Sequence, residues 1–230
     1  PVELDLVFTA PMPIDDYDLI STPINYISYQ VRATDGKKHD VQFLLTADAT
    51  QAINKSNQPT LTSRGFEDGI AYVKAGTVEQ PILAKKGDGI CIDWGYFYMP
   101  AINGNVSMGQ PDKMLEAFVQ TGKFPRPDRT QMQGEKGRSA RRGIRAENVA
   151  EMPAMAYVHN FGQVEQASSF TMLGYDEVQD IEYMYERYKG YWAHRGQVSI
   201  FQAFRNLQSR YAVIMARCRA FDKQIYDDGL

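Results

Sequence analysis

The sequence predicts a mainly β fold: an antiparallel β-sandwich, or a larger super-sandwich, followed by C-terminal linker helices. Three observations lead to this prediction. Residues 27–98 alternate apolar and polar side chains between glycine-containing turns, the interleaved helices of a parallel α/β fold are missing, and the last third has helical periodicity. With 230 residues, 43% of them hydrophobic, the chain is long enough to bury a sizeable core.

The first predicted element is a β-hairpin. Residues 27–31 and 41–45 alternate apolar and polar side chains on either side of Asp35-Gly36. Glycine tolerates the positive φ that tight hairpin turns require. The pattern therefore predicts that these two strands pair with each other.

A second hairpin and two further strands are predicted in the first half. Asp68-Gly69 separates the strand-like residues 61–66 and 70–74. Residues 77–84 and 90–98 each follow a glycine and are also interpreted as strands. Short strands separated by short turns are typical of antiparallel sheets that pack as a sandwich.

The middle of the chain combines a helix, a basic segment and two more strands. A helix is predicted over residues 113–121, after Pro111. Residues 124–145 contain seven basic and two acidic side chains, which predicts a basic loop. Such a loop either contacts an anionic ligand or is a solvated complement to acidic surface elsewhere. Strands are predicted over residues 154–161 and 167–173.

The end of the chain is predicted to be helical, with one helix over residues 176–189 and another from Val198 onward. Apolar residues of the second helix recur at steps of three and four: Phe201, Phe204, Leu207, Tyr211, Ile214, Cys218, Phe221 and Ile225. Part of this stripe is expected to pack on the sandwich and the remainder to face a partner domain. The predicted organisation is a β-sandwich domain over residues 1–175 and a helical linker over residues 176–230.

Composition excludes some function classes. A net charge of −3 argues against general nucleic-acid binding, because phosphate neutralisation needs a basic surface. The sequence has no run of about eighteen apolar residues, so no membrane span is expected. Cys91 and Cys218 are interpreted as small core residues, and a disulfide between them stays open.

The most unusual short segment covers residues 87–98. In a strand, Trp94 and Tyr96 would point to one face and Asp93 to the other. Asp93 is either an acid with a raised pKa or, as we favour, a structural hydrogen-bonding residue. Asp93, Trp94, Tyr96 and Trp192 are therefore the candidate residues for ligand binding or for a domain interface.

The sequence nominates no catalytic residue, cofactor or metal ion. His39, His159 and His194 are scattered, and none forms a His-x-x-x-His or His-Glu pair. Asp15-Asp16-Tyr17-Asp18 lacks the spacing of a calcium loop and is interpreted as an acidic turn. Neither a Gly-x-Ser-x-Gly elbow nor a phosphate loop is present.

Several segments resemble the glutaminase A family of secreted fungal and bacterial proteins, in the same order and over almost the whole chain. They are Leu4-Asp5-Leu6-Val7-Phe8-Thr9-Ala10-Pro11, Asp15-Asp16-Tyr17-Asp18-Leu19 with Ser21 and Pro23, Asp35-Gly36-Lys37-Lys38-His39-Asp40-Val41-Gln42, Gly76-Thr77-Val78-Glu79-Gln80, Ile92-Asp93-Trp94-Gly95-Tyr96 and Leu173-Gly174-Tyr175-Asp176. Cys91 departs from the family pattern, in which a basic residue is expected before the Ile-Asp-Trp-Gly-Tyr run.

The resemblance implies a non-catalytic N-terminal accessory domain of a secreted or periplasmic hydrolase that converts L-glutamine to L-glutamate and ammonia. It also implies that a helical toroid, similar to six-hairpin glycosidases, follows in the same polypeptide and carries any catalytic carboxylates. That helical domain is the expected partner, with a small-molecule substrate at the domain interface.

One rival function is an independent module that binds glycans through exposed aromatic side chains. The other rival, ranked last, is a self-sufficient hydrolase that uses Asp93.

Overall fold

The computed structural model describes residues 1–55, 57–85, 87–89, 91–125, 130–134 and 152–229. The strands are Val2–Thr9 (β1), Ile24–Ala33 (β2), His39–Asp48 (β3), Thr60–Glu67 (β4), Ile70–Thr77 (β5), Tyr96–Pro100 (β6), Asn105–Gly109 (β7), Gln131–Gly134 (β8), Ala154–Val164 (β9), Gln166–Asp176 (β10), Ile181–Tyr183 (β11) and Glu186–Tyr188 (β12). The helices are Tyr17–Ser21 (α1), Pro111–Thr121 (α2), Ile200–Ser209 (α3) and Tyr211–Asp228 (α4), with 3₁₀ turns at Ala49–Ala52 and Tyr191–Gly196.

Two antiparallel sheets pack together, which confirms the mainly β, sandwich-type fold. The larger sheet has seven strands in the order β1-β2-β10-β6-β5-β4-β8, and the smaller has the order β3-β9-β7. A separate two-stranded ribbon joins β11 and β12. None of the described helices is long and apolar enough to cross a membrane.

The core has two layers, one on each face of the seven-stranded sheet. Between the two sheets lie Tyr29, Phe43, Val73, Met99 and Tyr157. Between the seven-stranded sheet and the C-terminal helices lie Tyr26, Phe201, Phe204, Leu207 and Ile214. The protein is thus built in three layers: the small sheet, the large sheet, and α3 with the first half of α4.

The second predicted hairpin is confirmed. Strands β4 and β5 pair from Thr60↔Thr77 to Glu67↔Ile70. The turn residues Asp68 and Gly69 have φ values of 47° and 79°, as a two-residue turn of the mirror-image type requires.

The first predicted hairpin is wrong in its pairing. The chain does turn at Gly36, whose φ is 67°. However, β2 pairs with β1 and β10, whereas β3 pairs with β9 in the other sheet. The connection crosses between layers, because alternating strands look alike in sequence whichever partner they take.

The predicted helix over residues 176–189 is also wrong. This segment forms the β11–β12 ribbon, and Val178, Met184 and Tyr185 have φ values of 65°, 48° and 69°. Its apolar residues happen to recur at helical spacing, but aromatic and β-branched residues also favour strands. Hydrogen bonds from Trp94 Nε1 to the Gln179 carbonyl and from the Gly190 N–H to Asp180 Oδ2 hold the base of the ribbon.

Other boundaries differ in detail. The helix predicted over residues 113–121 is confirmed as α2, and Gly122 ends it in a left-handed conformation with φ 67°. The strand predicted over residues 90–98 is confirmed only from Tyr96 onward, because residues 91–95 form no strand and Ile90 lies outside the described residues. The strand predicted over residues 77–84 is wrong beyond Thr77, where β5 ends. Most of the basic segment, residues 126–129 and 135–145, also lies outside the described residues.

The C-terminal helix is broken into two. Helix α3 begins with a capping box between Ser199 and Gln202 and ends at Ser209, and α4 begins at Tyr211. The first half of the apolar stripe packs directly on the large sheet, without an intervening helix over residues 176–189. The predicted stripe is therefore partly a core element of this fold.

Candidate functional site

Asp93 is fully buried and held by two side chains. Its Oδ2 atom accepts a hydrogen bond of 2.7 Å from Gln58 Nε2 and forms an ion pair with Lys85 Nζ, whose side chain is 33% exposed. Its Oδ1 atom has no partner within the described part of the chain. The arrangement fastens the loop before β6 to the segment after the Ala49–Ala52 turn.

Trp94 is 6% exposed and joins this loop to the base of the β11–β12 ribbon. Its indole Nε1 donates a 3.0 Å hydrogen bond to the carbonyl of Gln179, and the Tyr175 hydroxyl donates one of 2.6 Å to the Trp94 carbonyl. A Cβ at Gly95 would lie 2.3 Å from the carbonyl oxygen of Asp176. Glycine therefore allows the close approach that seats Trp94 against this segment.

The base of the ribbon carries three carboxylates, Asp176, Glu177 and Asp180. Asp180 Oδ2 accepts a 2.7 Å hydrogen bond from the Gly190 backbone N–H. Partial burial, together with the negative charges of Asp180 and Asp176, raises the pKa of Glu177 to about 7. Sequence reasoning missed Glu177, although three acids within five residues were a visible signal, because the segment was interpreted as a helix.

Tyr96 belongs to a group of aromatic side chains on the face of the large sheet that packs against the C-terminal helices. The Lys74 ammonium lies 3.9 Å from the Tyr96 ring centroid, a cation–π distance. Tyr98 meets Phe201 of α3 edge to face at 5.6 Å. Burial lowers the pKa of Lys74, although Glu67 and Asp176 act in the opposite direction. Tyr96 itself is half-buried, at the margin of the layer between sheet and helices.

Trp192 is 5% exposed and packs in the same layer as α3. A Cβ at Gly190 would lie 2.8 Å from Asp180 Oδ1 and 2.9 Å from the Trp192 ring, so the ribbon base also contacts this tryptophan. The structure brings Asp93, Trp94 and Tyr96 together and connects them to Trp192 through residues 176–190. Each of the four contacts other parts of the described fold.

The apolar stripe of α4 continues past the body of the fold. Ile214 is 1% exposed and Cys218 and Phe221 are half-buried, whereas Ile225 is 57% exposed. We call Cys218, Phe221 and Ile225 the distal stripe. Tyr226 beside it is 68% exposed, so the last turns of α4 present apolar surface without cover in the described residues.

Acidic residues near the start of the chain hold this helix. Arg217 of α4 pairs with Asp16 Oδ2 at 2.6 Å and with Asp15 Oδ1 at 2.7 Å. The Leu19 backbone N–H and then the Arg217 guanidinium keep the pKa of Asp16 below its usual value. The acidic turn predicted from sequence thus caps α1 and anchors α4.

The histidines lie apart. His39 contacts Asp35 and His194 lies 3.5 Å from Asp18, both near the surface, while His159 Nδ1 lies 2.8 Å from the Tyr29 hydroxyl inside the sandwich. No group of three or more His, Cys, Asp or Glu side chains in the described ranges is placed to hold a metal ion.

Both cysteines are free thiols. Cys91 is exposed, so its predicted core position is wrong, and Cys218 is half-buried on α4.

Comparison with known proteins gives a family and one relative. A family model described as a domain of unknown function (DUF5127) matches residues 1–228. The chain is also 28% identical over 131 residues to a protein named "Glutaminase A" from Aspergillus oryzae (strain ATCC 42149 / RIB 40). That similarity covers 55% of this chain and 19% of the relative, so the matched region is a small part of a much longer protein.

Proposed function

Because this chain belongs to the DUF5127 family, we propose that it acts as a non-catalytic accessory domain of a longer, secreted or periplasmic, glutaminase A-like hydrolase. In this proposal residues 1–175 form the β domain and residues 176–230 lead into a helical domain of the same polypeptide. The accessory domain braces that helical domain, with a small-molecule substrate at their interface. The similarity to the longer Glutaminase A protein supports the proposal.

The distal stripe is the observation that carries the proposal. Its residues extend, at the same helical spacing, a stripe whose earlier members are buried against the large sheet. Leaving a large apolar side chain in water forgoes about 1.5–3 kcal/mol relative to full burial. A following domain that covers Phe221, Ile225 and Tyr226 would recover part of this free energy.

The chemistry of the buried polar residues also favours an accessory role. Asp93, the acid singled out by sequence, is engaged by Lys85 and Gln58 and is closed to solvent. A general acid must reach the proton that it transfers. A catalytic role for Asp93 would therefore require the surrounding loop to open.

The rival glycan-binding function gains no support from the candidate aromatic residues. Trp94 and Trp192 are buried, and both sit in packed contacts with residues 176–190. A sugar ring stacks on an exposed aromatic face, so neither indole could bind one without local unfolding.

The test compares the full-length protein that contains this chain with the isolated chain. We expect ammonia release from L-glutamine by the full-length protein and none by the isolated chain. Replacing Phe221 and Ile225 by Ser should reduce the activity of the full-length protein while leaving the unfolding midpoint of the isolated chain nearly unchanged. Parallel assays with glycosides test whether the full-length protein hydrolyses glycosides instead of L-glutamine.

Two outcomes would overturn the proposal. One is ammonia release by the isolated chain that disappears in Asp93→Asn. The other is an unchanged activity and unfolding midpoint of the full-length protein when Phe221 and Ile225 are replaced, since the distal stripe would then contact nothing.

A further inference from the structure

A recess of about 350 Å³ lies on the outer face of the small sheet, beside the end of α2. Strands β3, β7 and β9 supply Gln42, Asn105, Ser107 and Asn160, and the chain after α2 supplies Phe124. Its volume falls in the range of roughly 300–1,000 Å³ that small-molecule sites occupy. Its described lining includes neither the loop of Asp93 nor the distal stripe.

Ser107 is the most informative residue of this recess. The side chain is only 7% exposed, and its Oγ atom has no hydrogen-bond partner within the described ranges. Buried hydroxyl groups in proteins are usually hydrogen-bonded, because an unmatched one loses its water without replacement. An alanine would fit the same backbone without this cost. The hydroxyl therefore points to a partner outside the described residues.

The side-chain carboxamides that line the recess are also available for hydrogen bonds to a ligand. The side chains of Gln42 and Asn105 make no hydrogen bond with any described residue, and Asn160 uses only its Oδ1, which accepts from the Gly162 N–H at 2.8 Å. Carboxamides and hydroxyl groups both donate and accept hydrogen bonds. They consequently suit a ligand whose own polar groups do the same.

The apolar and charged residues of the recess further limit the chemical classes of ligand that it could bind. Phe124 and Val158 provide an apolar wall, and Phe124 is held by stacking on Phe118 with ring centroids 5.4 Å apart. Lys123 contributes the single charged side chain among the lining residues described. A free amino acid would need opposite charges for its ammonium and carboxylate groups, and the described lining residues include no carboxylate.

We propose that this recess binds one neutral sugar ring through the side chains of Gln42, Asn105, Ser107 and Asn160. The hydroxyl groups of the ring would meet the carboxamides, its C–H face would meet Phe124, and the closed Ser107 hydroxyl would turn into the recess to join them. The site is independent of the proposed accessory role, because it lies on a different face from the distal stripe.

The test is saturation-transfer NMR and calorimetric titration of the chain with methyl glycosides of glucose, galactose, mannose and N-acetylglucosamine. L-Glutamine and inorganic phosphate are titrated in parallel as the rival ligand classes. We expect at least one glycoside to bind, and Asn105→Ala and Ser107→Ala each to weaken its affinity at least five-fold. The matched control is Gln163→Ala, an exposed carboxamide on β9 that does not line the recess.

A stability measurement separates binding from folding. We expect the ligand-free Ser107→Ala protein to have an unfolding midpoint equal to or above that of the parent chain, because the substitution removes an unmatched buried hydroxyl. A lower midpoint together with lost binding would mean that Ser107 serves the fold, which contradicts the proposal. Absence of binding by every glycoside, binding unaffected by Asn105→Ala, or recess-dependent binding of glutamine or phosphate alone would also overturn it.

Discussion

Glu177 is a half-buried carboxylate whose protonation is linked to folding. Its pKa in the folded chain, about 7, is higher than its ordinary value of 4.5 because of burial and the neighbouring Asp180 and Asp176. The folded state therefore binds a proton that the unfolded state releases between these two pH values. Proton binding by Glu177 stabilises the folded state fully below about pH 4.5, and this stabilisation is lost as pH rises through 7.

We predict that Glu177→Gln is more stable than the parent chain at pH 8 by on the order of 1–2 kcal/mol, allowing for solvent screening at a half-exposed site. The gain should shrink as pH falls toward 5, where the parent side chain is largely protonated. Urea unfolding midpoints at both pH values measure this, and the pH 5 comparison is the internal control. An equal gain at both pH values would contradict the linkage.

Lys85 neutralises the buried carboxylate of Asp93, so its removal should be costly. Lys85→Met should lower the free energy of unfolding by about 2–4 kcal/mol, because it leaves Asp93 charged and closed to solvent. Adding Asp93→Asn to Lys85→Met should restore part of the loss, since the uncompensated charge disappears. Chemical denaturation of the two single variants and the double variant gives the coupling; strictly additive losses would mean that the pair does not interact.

Helix α4 offers a matched comparison within one element. Ile214 is 1% exposed and Ile225 is 57% exposed, although both lie on the same stripe. Ile214→Ala should reduce the free energy of unfolding of the isolated chain by about 2–4 kcal/mol through lost burial and a cavity. Ile225→Ala should change it by less than about 0.5 kcal/mol. Equal losses from the two substitutions would place the whole stripe in the core of the isolated chain.

The β11–β12 ribbon has an unusual turn. Met184 and Tyr185 occupy left-handed conformations with φ 48° and 69°, and their side chains are 74% and 96% exposed. Asn-Gly is the sequence that such a two-residue turn prefers. Replacing Met184 by Asn and Tyr185 by Gly should stabilise the ribbon by about 1 kcal/mol. Hydrogen exchange of the ribbon amides should then slow about five-fold, while the amides of β4 and β5 serve as the unchanged reference; unaltered ribbon exchange would contradict the strain argument.

At the scale of the whole molecule, the two sheets differ in width. The register places Leu4, Leu6 and Phe8 of β1 on the same face as the buried Val31, Tyr29 and Ile27 of β2. Yet these three β1 side chains are 46%, 43% and 70% exposed, because a three-stranded sheet does not cover a seven-stranded one. An apolar row on an edge strand favours pairing between molecules.

We predict that the isolated chain self-associates at high concentration through β1, and that Leu6→Lys suppresses this association. The free energy of unfolding should change by less than about 0.5 kcal/mol, because Leu6 is exposed. Sedimentation velocity over a concentration series measures the effect, with Val7→Lys on the opposite face of the same strand as the control. Persistent association of Leu6→Lys, with the same concentration dependence as the parent, would exclude the apolar row as its cause.

Local signals in the sequence were sufficient for part of the fold. Asp68-Gly69 determined the β4–β5 hairpin, Pro111 and Gly122 bounded α2, and the apolar stripe predicted a helix where α3 and α4 occur. Each of these features depends on residues that are neighbours in the chain, so conformational preference and spacing are enough to define it.

The tertiary structure decided the remainder. The sequence could not show that β2 and β3 belong to different sheets, because a strand's alternation is the same whichever partner it pairs with. Asp93 and Trp94 were identified as notable, but Lys85, Gln58 and Gln179 became their partners only through folding. The free hydroxyl of Ser107 gave no signal in the chain. Burial and hydrogen-bond satisfaction depend on residues far apart in sequence, and only the packed sheets bring those residues together.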